Sequence, residues 1–188
     1  DSFEAAEIHR ERGDYARAAE RFLGAGDPAL AAEMYERAGD LTKAVAAWER
    51  AGRYAEAAGC AARLGEREEE ARLRVRAGDF LAAGEIYEQI GRPDEAIRLL
   101  QRVDRATPEF AIAAERLAEI MRCRGETAVA IATLEAVLGV GGGSPSRQNL
   151  PLAYGLARAY EAHGEVQNAI ALYEKIRALD YHYRDAAE

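Results

Sequence analysis

The chain has 188 residues, of which 49% are apolar and 7% aromatic, and its formal net charge is −8. The negative charge argues against a general nucleic-acid binder, which needs a basic footprint, and against adhesion to an anionic membrane surface. The sequence also lacks a run of about 20 apolar residues that could span a bilayer, so we expect no membrane insertion.

Glycines recur every 13 residues in the first half of the chain, at Gly13, Gly26, Gly39, Gly52, Gly65, Gly78 and Gly91. Glycine readily adopts the left-handed conformation that ends a helix. Several of these glycines are followed by Asp, which caps the N-terminus of the next helix, and Pro28 and Pro93 suit a first helical position. Each unit is therefore predicted to be one short helix and one tight turn.

The predicted helices are amphipathic in a common register. A small residue comes five positions after the glycine, a large apolar residue follows four later, and another apolar residue follows three later, as in Ala18, Phe22 and Ala25. These offsets place the three residues on one helix face, so we expect them to be buried. The unit from Gly65 carries Glu70 and Arg74 at the first two positions, and its helix is expected to be more exposed to solvent.

The 13-residue pattern predicts eight helices in the first half of the chain. They are expected at about 2–12, 14–25, 27–38, 40–51, 53–64, 66–77, 79–90 and 92–104. An amphipathic helix of this length is marginal in water by itself, so the helices must stack on one another.

The second half of the chain resembles the tetratricopeptide repeat family. The segment AGDFLAAGEIYEQIGRPDEAIRLLQRVDRATPEF matches the family pattern at Phe80, Ala83, Gly84, Tyr87, Gly91, Ala96, Leu100, Val103 and Pro108. Two further copies follow, and the last has Tyr181 where the closing proline usually stands. The chain is thus divided into short-helix repeats at 1–76, two family repeats at 77–144, a glycine-rich loop at 140–149, a third repeat at 150–183, and the start of a capping helix at 184–188.

The resemblance implies an all-α fold, a right-handed superhelical α-solenoid of about six antiparallel helical hairpins. In the family register, the first helices of the hairpins are expected at about 2–12, 27–38, 53–64, 79–90, 110–123 and 151–163. The second helices are expected at about 14–25, 40–51, 66–77, 92–104, 126–139 and 166–179. It also implies a non-catalytic protein-interaction module or adaptor, which binds a partner protein or peptide in a concave groove lined by the first helices. Carried over to this sequence, the candidate partner-binding residues are Glu33, Glu36, Glu85, Glu88, Glu119, Arg122, Tyr154 and Arg158.

The predicted groove is acidic toward its N-terminal side, which favours a basic segment as the partner. The alternative is that glutamates on the exposed helix faces serve solubility alone. Near the C-terminal side, Tyr154 and Arg158 are predicted to be exposed anchors, because Tyr and Arg are enriched at interface hot spots. Tyr154 could instead pack on Leu150 or on the C-terminal tail.

The sequence contains no pattern typical of catalysis or of ligand binding. His9, His163 and His182 lie far apart, no HExxH, GxSxG or GxGxxG motif is present, and the glycine-rich loop lacks the GK[ST] of a phosphate-binding loop. We therefore expect no enzymatic activity, no cofactor and no metal site. Cys60 and Cys123 form no CxxC pair and are expected to be small buried residues in a reducing cytoplasm.

Two other interpretations stay open. The apolar ends of the array, Phe3 and Ile8 on one side and Tyr181 and Tyr183 on the other, could stack between copies, which would make a self-associating structural scaffold. We accordingly expect a monomer or a weak homo-oligomer. The chain also begins without Met and ends within the pattern. This favours a fragment, in which the array is the docking or sensor arm of a larger bacterial signalling, motility or secretion protein.

Overall fold

A computed structural model of the chain describes residues 2–139 and 142–183. These residues form twelve α-helices and no strand, which confirms the predicted all-α fold class. The helices are α1 Ser2–Glu11, α2 Tyr15–Gly24, α3 Pro28–Ala38, α4 Leu41–Arg50, α5 Tyr54–Leu64, α6 Arg67–Ala77, α7 Phe80–Gln89, α8 Pro93–Leu100, α9 Glu109–Cys123, α10 Thr127–Leu138, α11 Leu150–His163 and α12 Val166–Leu179. The predicted capping helix at 184–188 and the first two positions of the glycine-rich loop, 140 and 141, lie outside the described residues.

The helices belong to two compact units, residues 1–92 and 93–188. In the first unit, α1 to α7 pack in chain order, each helix against the next. In the second unit, α8 to α12 also pack in order, and α9 contacts both α10 and α11. The contact between α9 and α11 brings together the first helices of two successive hairpins. None of the described helices has the length and apolar content needed to cross a bilayer.

The turns between helices have the predicted chemistry. All seven periodic glycines have φ between +72° and +84°, the left-handed conformation. At one turn, the Gly39 amide donates to the Glu36 carbonyl (3.1 Å), and the Asp40 carboxylate accepts the Lys43 amide of the next helix (3.1 Å). Asp14, Asp27 and Asp79 cap their helices in the same way. The turn is therefore encoded locally, by a glycine that ends one helix and an aspartate that starts the next.

Alanine substitutions at two glycines test whether the turn glycines are needed for their backbone conformation, because we expect one to lower the stability of the fold and the other to raise it. Gly39 has φ +80° and Gly59 lies inside α5, yet a methyl group at either position would meet no atom within 4 Å. Gly39→Ala should therefore destabilise the fold by about 1 kcal/mol through backbone strain alone. Gly59→Ala should stabilise it by about 0.5–1 kcal/mol, because alanine loses less conformational entropy in a helix. Urea unfolding followed by circular dichroism measures the change in unfolding free energy for each variant. If both substitutions stabilised the fold, or both destabilised it, the role given to the turn glycine would be wrong.

Of the three positions predicted to be buried in each unit, the structure agrees with the first two and differs at the third. The small residues Ala18, Ala31, Ala44, Ala57, Ala83 and Ala96 are all fully buried, and so are most of the large residues four positions later. The third predicted position is wrong in several units, since Ala25, Ala38 and Ala77 are exposed. The third buried position of the helix is instead the residue directly after the small residue. In four units this residue is Ala19, Ala32, Val45 or Ala58. Pairs of small residues let neighbouring helices approach closely, and one large side chain per helix fills the remaining space.

Helix α6 is exposed at five of its 11 residues, more than α3, α4, α5 or α7, but the glutamate at its predicted core position is buried. Glu70 is only 6% exposed and pairs with Arg67 (2.7 Å), while Ala71 and Leu73 are fully buried. Arg72 and Arg76 of α6 both reach Glu49 of α4, at 2.8 and 2.6 Å. The arginines of α6 thus form ion pairs both within their own helix, from Arg67 and Arg72, and with Glu49 of α4.

Two smaller expectations are also corrected. Cys60 is buried, and burial raises the pKa of its thiol to about 11, but Cys123 is exposed at the end of α9. Helix α8 ends at Leu100 rather than at 104. The reason lies in Asp104, whose side chain accepts the Ala106 amide (2.9 Å) in a local turn that competes with the helix.

Candidate functional site

A cavity of about 210 Å³ lies between α9 and α11 in the second unit. Its walls come from residues spaced three and four apart on each helix, which places them on a single helix face. The lining residues are Glu115, Ala118, Glu119 and Arg122 of α9, with Tyr154, Gly155 and Arg158 of α11. Four of the eight candidate residues from the sequence, Glu119, Arg122, Tyr154 and Arg158, therefore meet at one place.

One pair of charges in this cavity is already matched. The Arg122 guanidinium donates to both carboxylate oxygens of Glu119, with Nε···Oε2 2.9 Å and Nη2···Oε1 2.5 Å. The Cys123 thiol lies 3.6 Å from the same carboxylate. The hydrogen bonds from Arg122 hold the pKa of Glu119 below its ordinary value, and the nearby positive charge of Arg158 acts in the same direction. The pair is preorganised, with Arg122 fixed in a fork geometry.

The other two charged groups of the cavity are not matched within the described part of the chain. Glu115 is half-buried and Arg158 is exposed, and neither forms an ion pair with a described side chain. The cavity thus presents one available carboxylate and one available guanidinium, on opposite walls. Such groups can bind a ligand of complementary charge without breaking an ion pair of their own.

Small residues make the room for this cavity. Ala118 is buried beneath the charged groups, and Gly155 lies in the middle of α11, where a methyl group would come 3.7 Å from Leu134 Cδ1. Neither residue was among the candidates from the sequence. A glycine inside an otherwise helical pattern is a signal that could have found the second of them, because it costs helix stability unless it serves packing or a site.

Tyr154 is not the exposed anchor that the sequence predicts. It is 4% exposed, and its ring packs edge-on against Tyr173 of α12 and against Tyr183, with centroids 5.9 Å apart in both pairs. Burial against aromatic neighbours explains the difference, since edge-to-face pairs stabilise the ring in the core. Tyr154 therefore borders the cavity as part of its wall, and Arg158 is the exposed member of the predicted pair.

The remaining candidates, Glu33, Glu36, Glu85 and Glu88, belong to the first unit. Glu33 is exposed on α3, and Glu85 and Glu88 are half-buried on α7. Glu36 accepts hydrogen bonds from Trp48 Nε1 (2.9 Å) and Arg63 Nη1 (2.7 Å). Its carboxylate thus holds α3, α4 and α5 together, a structural role that the sequence did not indicate.

The Glu119–Arg122 pair predicts a specific acid sensitivity. Because the pKa of Glu119 is lower in the folded state than its unfolded value near 4.3, the stabilisation is present above about pH 4.3. It is lost as the pH falls through the folded-state pKa. Glu119→Gln should therefore lose less stability than the wild type between about pH 5 and pH 3, by a few tenths of a kcal/mol for a solvent-exposed pair.

Urea unfolding at each pH measures this difference. Arg122→Met removes the same interaction and should reduce the acid sensitivity equally, and the double variant should add nothing further. A Glu119→Gln protein with the full acid sensitivity of the wild type would show that the pair does not stabilise the fold.

No group of three or more His, Cys, Asp or Glu side chains in the described ranges is arranged to hold a metal ion. Of the three histidines, His163 lies 2.7 Å from the Thr127 hydroxyl and His9 lies 3.6 Å from the Asp14 carboxylate. The first contact joins the end of α11 to the start of α10, and the second joins α1 to the cap of α2.

Comparisons with known proteins agree with the repeat pattern. Models of the tetratricopeptide repeat match residues 77–120 and 124–183, which together cover more than half of the chain. Among solved structures, the chain is similar to the nearly identical TPR-like repeats of a putative kinesin light chain from Podosopora anserina, with 19% identity, a TM-score of 0.52, and coverage of 97% of this chain and 95% of that one. It is also similar to the MamA protein, with 20% identity, a TM-score of 0.50, and coverage of 96% and 90%.

At these identities the solved structures show a common fold and no more. A comparison with curated proteins finds none that matches. The family models are matched to the amino-acid sequence itself. They cover helices α7 to α12 except for a few residues, and this stretch includes α9 and α11, which form the cavity. The chain belongs to the tetratricopeptide repeat family.

Proposed function

We propose that the chain is a non-catalytic interaction module that binds a segment of a partner protein at the cavity between α9 and α11. Tetratricopeptide repeats generally mediate protein–protein interactions or act as scaffolds, and their fold is typically an interaction module without catalysis. The observation that carries the proposal is the pair of available charges, Glu115 and Arg158, in a cavity whose other pair is already matched.

The chemistry of the cavity describes the partner segment. Glu115 is placed to accept a lysine or arginine side chain, and Arg158 to donate to a carboxylate or to main-chain carbonyl groups. The Glu119–Arg122 pair lies beside them and limits the orientations that a ligand can take. The expected basic segment is thereby narrowed to one basic side chain facing Glu115, next to an acceptor group facing Arg158.

The acidic surface predicted for the first unit has weaker support. The carboxylate of Glu36 is bound by Trp48 and Arg63, so a partner would have to displace a contact that joins three helices. Glu49 and Glu69 likewise pair with arginines of α6. Of the predicted set in this unit, Glu33 is the exposed member.

The proposal is tested by capture from cells of the source organism, with variants that reverse the available charges. We expect the combined Glu115→Lys and Arg158→Glu protein to bind the captured partner at least tenfold more weakly than the wild type, because both complementary contacts become repulsive. Quantitative mass spectrometry of the bound proteins gives the ratio.

The matched control carries Glu174→Lys and Arg177→Glu, the same exchange of charges at two exposed positions of α12. It should recover the partner as the wild type does. Equal recovery by the wild type and the cavity variant would show that the partner binds elsewhere.

A second candidate function is self-association through the ends of the array. Phe3 and Ile8 of α1 are 44% and 43% exposed, and Tyr181, which follows α12 in the chain, is 61% exposed. Stacking of these residues between copies would bury them. Light scattering at two protein concentrations separates this scaffold from a monomeric adaptor.

We also propose a cytoplasmic location, which the free thiols Cys60 and Cys123 support, since thiols persist in reducing compartments. A role as the docking or sensor arm of a larger bacterial signalling, motility or secretion protein belongs to the same proposal. The charge-reversal variants test the binding site in that setting as well.

A further inference from the structure

A second cavity lies in the same unit and shares no residue with the first. It has a volume of about 330 Å³ and is formed by α8, α9, α10 and the turns that follow α8. Its walls are mostly apolar, and its lining residues are Leu100, Gln101, Arg105, Phe110, Ala114, Leu117, Val129, Ala132, Thr133 and Ala136. We call it the α8–α10 cleft.

The cleft follows from the early end of α8. Helix α8 has 8 residues, whereas α10 has 12, and Gln101 and Arg105 from the turns after α8 form one wall. The opposite wall is α10, where Ala132 and Ala136 carry no bulk that could fill the space. Leu117 and Ala114 of α9 are buried and form the floor of the cleft. Val129 is 46% exposed at the edge, so the apolar surface is open to solvent.

The size of the cleft suits a large side chain. An apolar cavity of about 150 Å³ is enough to hold benzene. The Thr133 hydroxyl, the one polar group on the α10 wall, donates to the Val129 carbonyl (2.8 Å) and is thus already hydrogen-bonded. An aromatic or long aliphatic side chain would therefore meet carbon atoms on most sides.

The positive charge of Arg105 at the edge of the cleft predicts the charge of the residue next to the bound apolar side chain. The Arg105 guanidinium lies 5.8 Å from the centre of the Phe110 ring and forms no ion pair with any side chain in the ranges 2–139 and 142–183. An exposed arginine beside an apolar surface attracts a carboxylate and repels a cation.

We propose that the α8–α10 cleft is a second docking surface, which takes a large apolar side chain of a partner protein with a carboxylate on the adjacent residue. This surface is independent of the cavity between α9 and α11, since the two are lined by different residues.

The test uses blocked peptides as probes and methyl NMR of the whole chain as the readout. Acetyl-Gly-Phe-Glu-Gly-amide should shift the methyl signals of Leu100, Leu117 and Val129. The peptide with Ala in place of Phe should bind at least about tenfold more weakly, as expected for loss of a buried aromatic ring. The peptide with Lys in place of Glu should bind about two- to fivefold more weakly, the size of an exposed ion pair.

Variants of the chain locate the binding site. Ala132→Trp should fill the cleft and abolish the shifts, whereas Ala128→Trp, one turn earlier on an exposed position outside the cleft, should leave them unchanged. Arg105→Glu should reverse the preference between the Glu and Lys peptides, and Arg98→Glu on α8 should not. Equal binding of the three peptides, or shifts that persist in Ala132→Trp, would overturn the proposal. Methyl shifts that depend on protein concentration without peptide would overturn it too, because the occupant would then be a second copy.

Discussion

Replacing Trp48 with Ala is expected to lower the free energy of unfolding by about 3–5 kcal/mol, the cost of removing a large buried ring. Trp48 is 3% exposed, and the Arg53 guanidinium lies 4.9 Å from the centre of its ring. Its indole N–H donates to Glu36, so the substitution also leaves that carboxylate with one hydrogen bond fewer. Urea unfolding followed by circular dichroism at 222 nm measures the change without relying on tryptophan fluorescence.

Trp48→Phe separates packing from hydrogen bonding at this position. Phenylalanine keeps much of the buried ring but has no donor for Glu36, so this variant should lose about 1–2 kcal/mol. A loss below about 1 kcal/mol for Trp48→Ala would mean that the first unit relaxes around the missing ring, and that one large residue per helix does not fill its core.

Tyr154→Ala is expected to destabilise the second unit by about 3 kcal/mol. The substitution removes two edge-to-face aromatic contacts, with Tyr173 and with Tyr183, and leaves a cavity where a buried ring stood. Hydrogen exchange of the amides in α11 and α12 should become faster in this variant. The same methods applied to Tyr154→Phe, which keeps the ring, should give a loss of about 1 kcal/mol or less.

Tyr181→Ala is the matched control for this position. Tyr181 is 61% exposed, and its truncation should change stability by less than about 0.5 kcal/mol. The opposite pattern, in which Tyr154→Ala is as stable as the wild type but loses its partner, would restore Tyr154 as a binding anchor.

Local residues explain why most helix ends could be predicted. A glycine with positive φ marks the turns of the first unit, and an Asp cap follows it in four of them, so the observed helices begin and end close to the expected positions. Helix α8 is the exception, because the Asp104 turn competes with its last helical turn. The burial of Glu70 does not follow from its charge, because the ion pair with Arg67 neutralises its carboxylate where it is buried.

The candidate site was predictable on α9 and α11 and less so elsewhere. Helical spacing places Glu119 and Arg122 on one face of α9, and it places Tyr154 and Arg158 on one face of α11. Burial of Tyr154 depends on Tyr183, which is 29 positions away in the sequence and beyond the last described helix. Capture of Glu36 by Arg63 joins residues 27 positions apart. Spacing along one helix carries no information about such distant contacts.

Site-specific photo-crosslinking tests the central claim most directly. A photoreactive amino acid placed at position 162 lies one turn after Arg158 on α11 and leaves Arg158 in place, one at position 177 lies on α12, and one at position 33 lies on α3 in the first unit. With the captured partner, we predict a crosslink from position 162 and none from position 177 or 33. Crosslinks from position 33 without one from position 162 would contradict the cavity as the binding site and would place the partner on the first unit.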